Sequence, residues 1–154
     1  NLAEKFSLQA RERGVALKLN IQKVPTTLGD GDRLAQVFDN LLDNALKHTP
    51  AGGTVTINAK EMQENVHIEV LDTGAGIPVE ALPHVFERFY QADSSRRTDG
   101  KHSSGLGLAI VKEIISAHDG KIVVHSEVGE GTLFDIILPT AQPDATTLIR
   151  KRNT

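Results

Sequence analysis

Apolar positions along the chain fall into two periods, and glycine or proline marks most of the changes between them. In "NLAEKFSLQARERG", residues 1–14, Leu2 and Phe6 stand at helical spacing. After Gly14, the residues Val15, Leu17, Leu19 and Ile21 alternate with others, which predicts a strand over 15–22 covered on one face and closed by Pro25. The period then lengthens. Leu34, Val37, Phe38, Leu41, Leu42, Ala45 and Leu46 recur at three and four residues, an amphipathic helix with Asp30 as N-cap and Pro50 as its stop. "GGTVTINAKEMQENVHIEVLDTG" predicts strands over 53–61 and 65–72, with a turn at Gln63-Glu64-Asn65. Leu106 to His118 reads as a helix ended by Gly120, and "KIVVHSEVGEGTLFDIILP" as a hairpin turning at Gly129 to Gly131. Strands and helices that alternate in this way, with two hairpins, predict a mixed sheet with helices on one side, an α+β arrangement.

Two stretches carry no apolar period. "QADSSRRTDGKHSS", residues 91–104, is polar throughout and long enough for a mobile lid, since compact domains seldom keep a structureless loop of this length without a use. The tail from Thr140 has no core pattern, and partial disorder is expected there. At 154 residues the chain fits one domain. Its 17 basic and 20 acidic residues nearly balance, so no overall field recruits nucleic acid or an anionic membrane, and any anion must be held by a local site. The chain has no cysteine, which excludes disulfides, thiolate metal sites and a cysteine nucleophile, and points to a hard metal if any. No apolar run approaches the roughly 18 residues of a membrane span.

Candidate chemistry gathers at four places, each with a plainer reading beside it. On the long helix Asn40, Asn44 and Lys47 fall within about 60° of one another at 100° per residue. Amide oxygens there suit Mg²⁺ and the lysine suits phosphate, or the three are a solvated helix face. In "LDTGAGIP" a strand delivers Asp72 to a turn whose glycines, Gly74 and Gly76, let the backbone pass close to a flat ligand. A carboxylate only accepts hydrogen bonds and so favours the 6-amino group of adenine over a 6-oxo group, but an Asp-Gly turn is also common. "SSGLGLAIVKEI" lacks the strand of a dinucleotide fingerprint and the Gly-Lys-Ser/Thr of a P-loop. The free amides of its helix could hold phosphate oxygens, or the glycines simply start the helix. In "GEGTLF" the Thr132 hydroxyl could bond Asp72 or a ligand, or lie in an ordinary hairpin. None of the six histidines stands in ligand spacing or beside a recognisable nucleophile, and His118 lies at a helix end that favours positive charge.

In order, "DNLLDNALKHTP", "DTGAGIP", "VFERFYQADSSR", "SSGLGLAIVKEI" and "GEGTLF" resemble the N, G1, F, G2 and G3 boxes of the ATP-binding catalytic domain of bacterial sensor histidine kinases, in the GHKL group. The resemblance covers residues 15–139 and implies a two-layer α/β sandwich of the Bergerat type, a mixed sheet backed by helices on one face. It implies ATP and Mg²⁺ as cofactors. Asn44 takes the Mg²⁺ ligand's place with Asn40 assisting, and with Lys47 these form the catalytic set, while Lys47 and His48 reach the phosphate and ribose region. Asp72 corresponds to the adenine reader, with Gly74, Gly76 and Ile77 as the purine floor. Phe86 and Phe89 correspond to the lid anchor, Ser104, Gly105, Leu106 and Gly107 to the G2 turn, and Thr132 to the G3 threonine.

Two positions depart from the pattern. Ser103 replaces the first G2 glycine, implying a stiffer hinge, and Gln91 stands where many relatives carry arginine, implying either a weaker γ-phosphate contact or one supplied by Arg96, Arg97 or Lys101 of the lid. No histidine is followed by the residues of a phosphoacceptor motif. The expected organisation is therefore the end of a linker helix over 1–14, leading from an upstream dimerisation and phosphoacceptor domain, then the catalytic domain over 15–139 and a tail over 140–154. The expected partners are that upstream domain and a response regulator, with no nucleic acid and no direct membrane contact. The chain alone is expected to be a monomer in the cytoplasm, its parent protein membrane-anchored or not. Two other readings remain open: a nucleotide-binding module that has lost catalysis, and a serine kinase of the anti-sigma-factor type.

Overall fold

A computed structural model of the chain describes residues 2–25, 27, 29–91 and 105–140. Helix α1 (Leu2–Glu12) leads into strand β1 (Ala16–Ile21), followed by the long helix α2 (Gly31–His48) and a hairpin of β2 (Thr54–Met62) and β3 (Asn65–Asp72). Helix α3 (Gly107–Ala117) precedes a second hairpin, β4 (Lys121–Glu127) and β5 (Gly131–Pro139). The strands form one sheet in the order β1-β2-β3-β5-β4, with β1 and β2 parallel and the other pairs antiparallel. The mixed sheet with its helices is the α+β arrangement that the periodicity predicts.

The core lies between the sheet and the helices. From α2 come Val37, Leu41, Leu42, Ala45 and Leu46, buried as their spacing predicts, and they meet Val55, Val70, Phe134 and Ile136 of the sheet and Ile114 and Ile115 of α3. Asp30 caps α2, its Oδ1 accepting from the amides of Asp32 at 3.0 Å and Arg33 at 3.3 Å, a cap worth about 1 kcal/mol. At the other end Thr49 is extended, as a residue before proline must be, and its buried hydroxyl donates to the Ala45 carbonyl at 2.7 Å.

Some expectations are corrected in detail. Of the alternating residues at 15–21, only Val15 is buried and Leu17 partly so, whereas Leu19 and Ile21 are exposed. The alternation reports which face a side chain takes, and β1 is an edge strand whose far end the helices leave uncovered. Phe6 and Ala10 of α1 pack in the same core as α2. The left-handed residue after α3 is Asp119, at φ 56°, not Gly120; a side chain at Gly120 would press on the Ile137 carbonyl. His118 joins the two helices: its Nδ1 donates to the Ile114 carbonyl at 2.8 Å and its Nε2 accepts the Asp30 amide at 3.0 Å. The ring thus serves as a hydrogen-bond bridge between α2 and α3.

Leu41→Ala should lower the unfolding free energy by about 2–5 kcal/mol in urea melts, because it empties space between α2 and the sheet. Ile21→Thr, on the uncovered end of β1, should change it by no more than about 0.5 kcal/mol. Equal losses for the two would contradict this placement of the core.

Candidate functional site

Asp72 ends the central strand, β3, beside the C-terminal end of α2. Only 8% of its surface is exposed, and the Gly74 amide donates to its Oδ1 at 2.8 Å. Burial pushes its carboxyl pKa up from 3.8, while the Gly74 amide, the charge of His48 and the Thr132 amide pull the other way. Thr132, equally buried, faces Asp72 across the β3–β5 pair, so the two side chains share a face. The hydroxyl of Thr132 pairs with that of Ser126 at 2.8 Å, not with Asp72.

The turn after Asp72 is held by backbone contacts. A side chain at Gly74 would strike the His48 carbonyl, and Gly76, at φ 77°, lies against the Glu127 carbonyl. These glycines let the turn press onto α2 and β4, which accounts for them without a ligand. The Ile77 amide donates to Ser126 Oγ at 2.7 Å, fixing the turn to β4.

Asn40 joins α2 to α3. Its Nδ2 donates to the Gly107 carbonyl at 3.3 Å, which orients the amide with its oxygen free to accept elsewhere. Asn44, one turn on and half-buried, has no side-chain hydrogen bond among the described residues. Lys47 is exposed, with Nζ 3.9 Å from Asp43, a loose surface pair. Leu106 is the N-cap of α3 and, among the described residues, no side chain caps the first amides of the helix, while Gly107 lies in ordinary contact with the Asn40 side chain.

The expected lid anchor divides in two. Phe86 is the packed ring: it meets Phe134 edge to face at 6.2 Å between centroids, with Lys112 of α3 5.1 Å from its centre. The Phe89 side chain is 73% exposed, and its contribution is through the backbone, where its amide donates to the Gly105 carbonyl at 2.9 Å. Phe89 and Gly105 both take positive φ, at 63° and 69°, and a side chain on Gly105 would collide with the Phe89 backbone. Ser103, Ser104 and the basic residues Arg96, Arg97 and Lys101 lie outside the described residues. So does the rest of the expected lid beyond Gln91.

Ser126 escaped the sequence reading. The signal for it was present: Ile122, Val124 and Ser126 share one parity of β4, so a polar residue ends a row of side chains turned toward the helices.

The family model for histidine kinase-, DNA gyrase B- and HSP90-like ATPases matches residues 29–142. The chain belongs to this ATPase family. Among curated relatives it is 40% identical over 147 residues to the sensor protein DivL of Caulobacter vibrioides, covering 94% of this chain and 18% of that protein. It is 43% identical over 135 residues to the sensor protein SrrB of Staphylococcus aureus, covering 88% of this chain and 23% of that protein. The chain thus spans about a fifth of the length of these relatives. Among solved structures, a mycobacterial sensor histidine kinase, MprB, matches with TM-score 0.74 and 31% identity over 90% of this chain and 92% of that one. Full-length ShkA in complex with AMPPNP matches with TM-score 0.79 and 35% identity, over 94% and 29%. The chain is the ATPase-fold catalytic region found in sensor histidine kinases, and neither the anti-sigma-factor type of kinase nor a degenerate module is favoured. Among the described residues no helix is long and apolar enough to cross a membrane.

The raised pKa of Asp72 has a sign that can be checked. A carboxyl whose value rises on folding contributes stability that is complete below its ordinary value of 3.8 and is lost as pH climbs through the raised one. At neutral pH the ionised group is therefore a net cost to the ligand-free fold. Asp72→Asn keeps an oxygen for the Gly74 amide and removes the charge. It should match or exceed the native chain in urea stability at pH 7, with the gain shrinking toward acid; a clear loss at pH 7 would contradict this reading.

Proposed function

We propose that this domain binds Mg-ATP and presents the γ-phosphate to a histidine on a separate dimerisation domain of a two-component sensor kinase. The observation that carries the reading is the buried carboxylate of Asp72 at the end of β3, accepting from the Gly74 amide and facing Thr132 across the β3–β5 pair. On this reading Asp72 accepts from the adenine amino group over the floor made by Gly74, Gly76 and Ile77, and Thr132 closes the purine site. The amides at Gly105, Leu106 and Gly107, together with Ser104, receive phosphate oxygens. Lys47 and His48 serve the phosphate and ribose region, and Phe89 holds the edge of the site through its backbone.

The residues fit Mg²⁺ as part of a nucleotide complex. Among the described residues no group of three His, Cys, Asp or Glu could hold a metal. The oxygens of Asn40 and Asn44 are neutral hard donors, which suit Mg²⁺ when phosphates supply the charge. When bound, the ion would offset the charge of the transferring phosphoryl group. The chain's own part is positioning: phosphoryl transfer needs an aligned donor and acceptor more than a covalent group from the nucleotide domain. We assign the acceptor to an upstream domain because no histidine in the sequence sits in an acceptor motif, and a response regulator as the next recipient. The working compartment on this reading is the cytoplasm, where ATP is available.

Calorimetry with a non-hydrolysable ATP analogue, with and without Mg²⁺, tests the assignment. Asp72→Ala should weaken binding tenfold or more in both conditions, at about 1.5–3 kcal/mol for a charged hydrogen bond, whereas Asn44→Ala should remove mainly the gain that Mg²⁺ brings. Unchanged binding in both variants would overturn the site. Phosphorylation of an acceptor domain supplied in trans tests transfer itself, and ATP binding with no transfer to any acceptor would leave a binding module only.

A further inference from the structure

Three hydrogen bonds meet on the Ser126 hydroxyl, and their directions can be assigned. The Ile77 amide at 2.7 Å can only donate, so Ser126 Oγ accepts there. The Gly131 carbonyl at 2.8 Å can only accept, so the single hydroxyl hydrogen of Ser126 goes to it. The third partner, Thr132 Oγ1 at 2.8 Å, must then be the donor, filling the remaining lone pair of Ser126. Were Ser126 to donate to Thr132 instead, two lone-pair oxygens would face each other at the Gly131 contact.

The consequence falls on Thr132. With its hydrogen committed to Ser126, its oxygen meets the site with lone pairs alone, next to a carboxylate that also only accepts. We infer that Ser126 is a positioning residue that sets purine specificity by fixing the Thr132 hydroxyl as an acceptor, so that Asp72 and Thr132 together select a 6-amino purine and reject a 6-oxo one. This rests on the nucleotide reading above and adds to it which atom enforces the choice. A 6-oxo purine brings an acceptor to a place where nothing can donate, the kind of mismatch that binding sites reject strongly. Ser126 also ties the Ile77 turn to the hairpin, so one hydroxyl sets both the floor of the purine site and the polarity of its wall.

Affinities of the 154-residue chain for ATP and inosine triphosphate, compared as a ratio, test this. The native chain should prefer ATP strongly; failure to bind ATP at all would defeat the nucleotide reading itself, whereas the tests below address Ser126 alone. Ser126→Ala frees the Thr132 hydroxyl to rotate and donate into the site, and should lower the ATP to inosine triphosphate ratio about tenfold. Ser126→Thr retains the hydroxyl and should keep the ratio near the native value. Thr132→Val, nearly isosteric, should also lower the ratio, and Ser126→Ala should add nothing in its background. A purely structural serine would weaken both nucleotides alike. An unchanged ratio in Ser126→Ala, or, if that variant does not fold, in Thr132→Val, overturns the inference, as does a further drop in the ratio in the double variant.

Discussion

The carboxyl group of Asp72 is the constraint around which the domain is arranged. It stands at the end of the central strand, almost out of water, and a buried carboxylate persists only where backbone amides and a compensating charge meet it. The Gly74 amide meets it because the turn folds tightly enough for Gly74 to lie on the last carbonyl region of α2. The Thr132 amide meets it because β5 pairs with β3 in a register that sets Thr132 opposite Asp72. A one-residue slip of β5 would turn Thr132 to the other face and bring Gly131 or Leu133 opposite Asp72. The register is held by the inward row of Phe134, Ile136 and Leu138, so the packing that stabilises the sheet also fixes the polar site at its edge.

The two helices of the site are positioned with the same economy. Asn40 bonds the first residue of α3, and His118 bonds the N-cap residue of α2, so the antiparallel helices are tied at both ends of their contact by one side chain each. Between these ties lie apolar residues of both helices, and the start of α3 lies at the end held by Asn40. A buried carboxylate and positive φ at Phe89 each cost the ligand-free fold something.

Much of this was legible in the sequence. The three-and-four spacing of α2 gave its buried face residue by residue, because a long amphipathic helix carries many independent votes for one phase. The alternation of 15–21 was less reliable, since a period tells which way a side chain turns but not whether anything covers it, and Leu19 and Ile21 are uncovered. Asp72, Thr132 and the two asparagines were singled out through the order of motifs; the β3–β5 register sets Asp72 opposite Thr132, and Asn40 meets the start of α3. The sequence left Gly74 and Gly76 open between a tight turn and a close ligand approach, and their need to clear the carbonyls of His48 and Glu127 is a crowding that only the tertiary structure creates. Ser126 was hidden for a related reason: its importance lies in three partners distant along the chain and brought to it by the turn and hairpin.

The central claim is that Asp72, held by Gly74 on one side and facing Thr132 on the other, is the group that reads the ligand. A crystal structure of the domain with a non-hydrolysable ATP analogue tests it most directly. The account predicts the adenine amino nitrogen about 3 Å from the Asp72 carboxylate, with the Gly74 amide still bonded to Oδ1. A nucleotide seated away from Asp72, or an adenine amino group pointing to solvent, would contradict it.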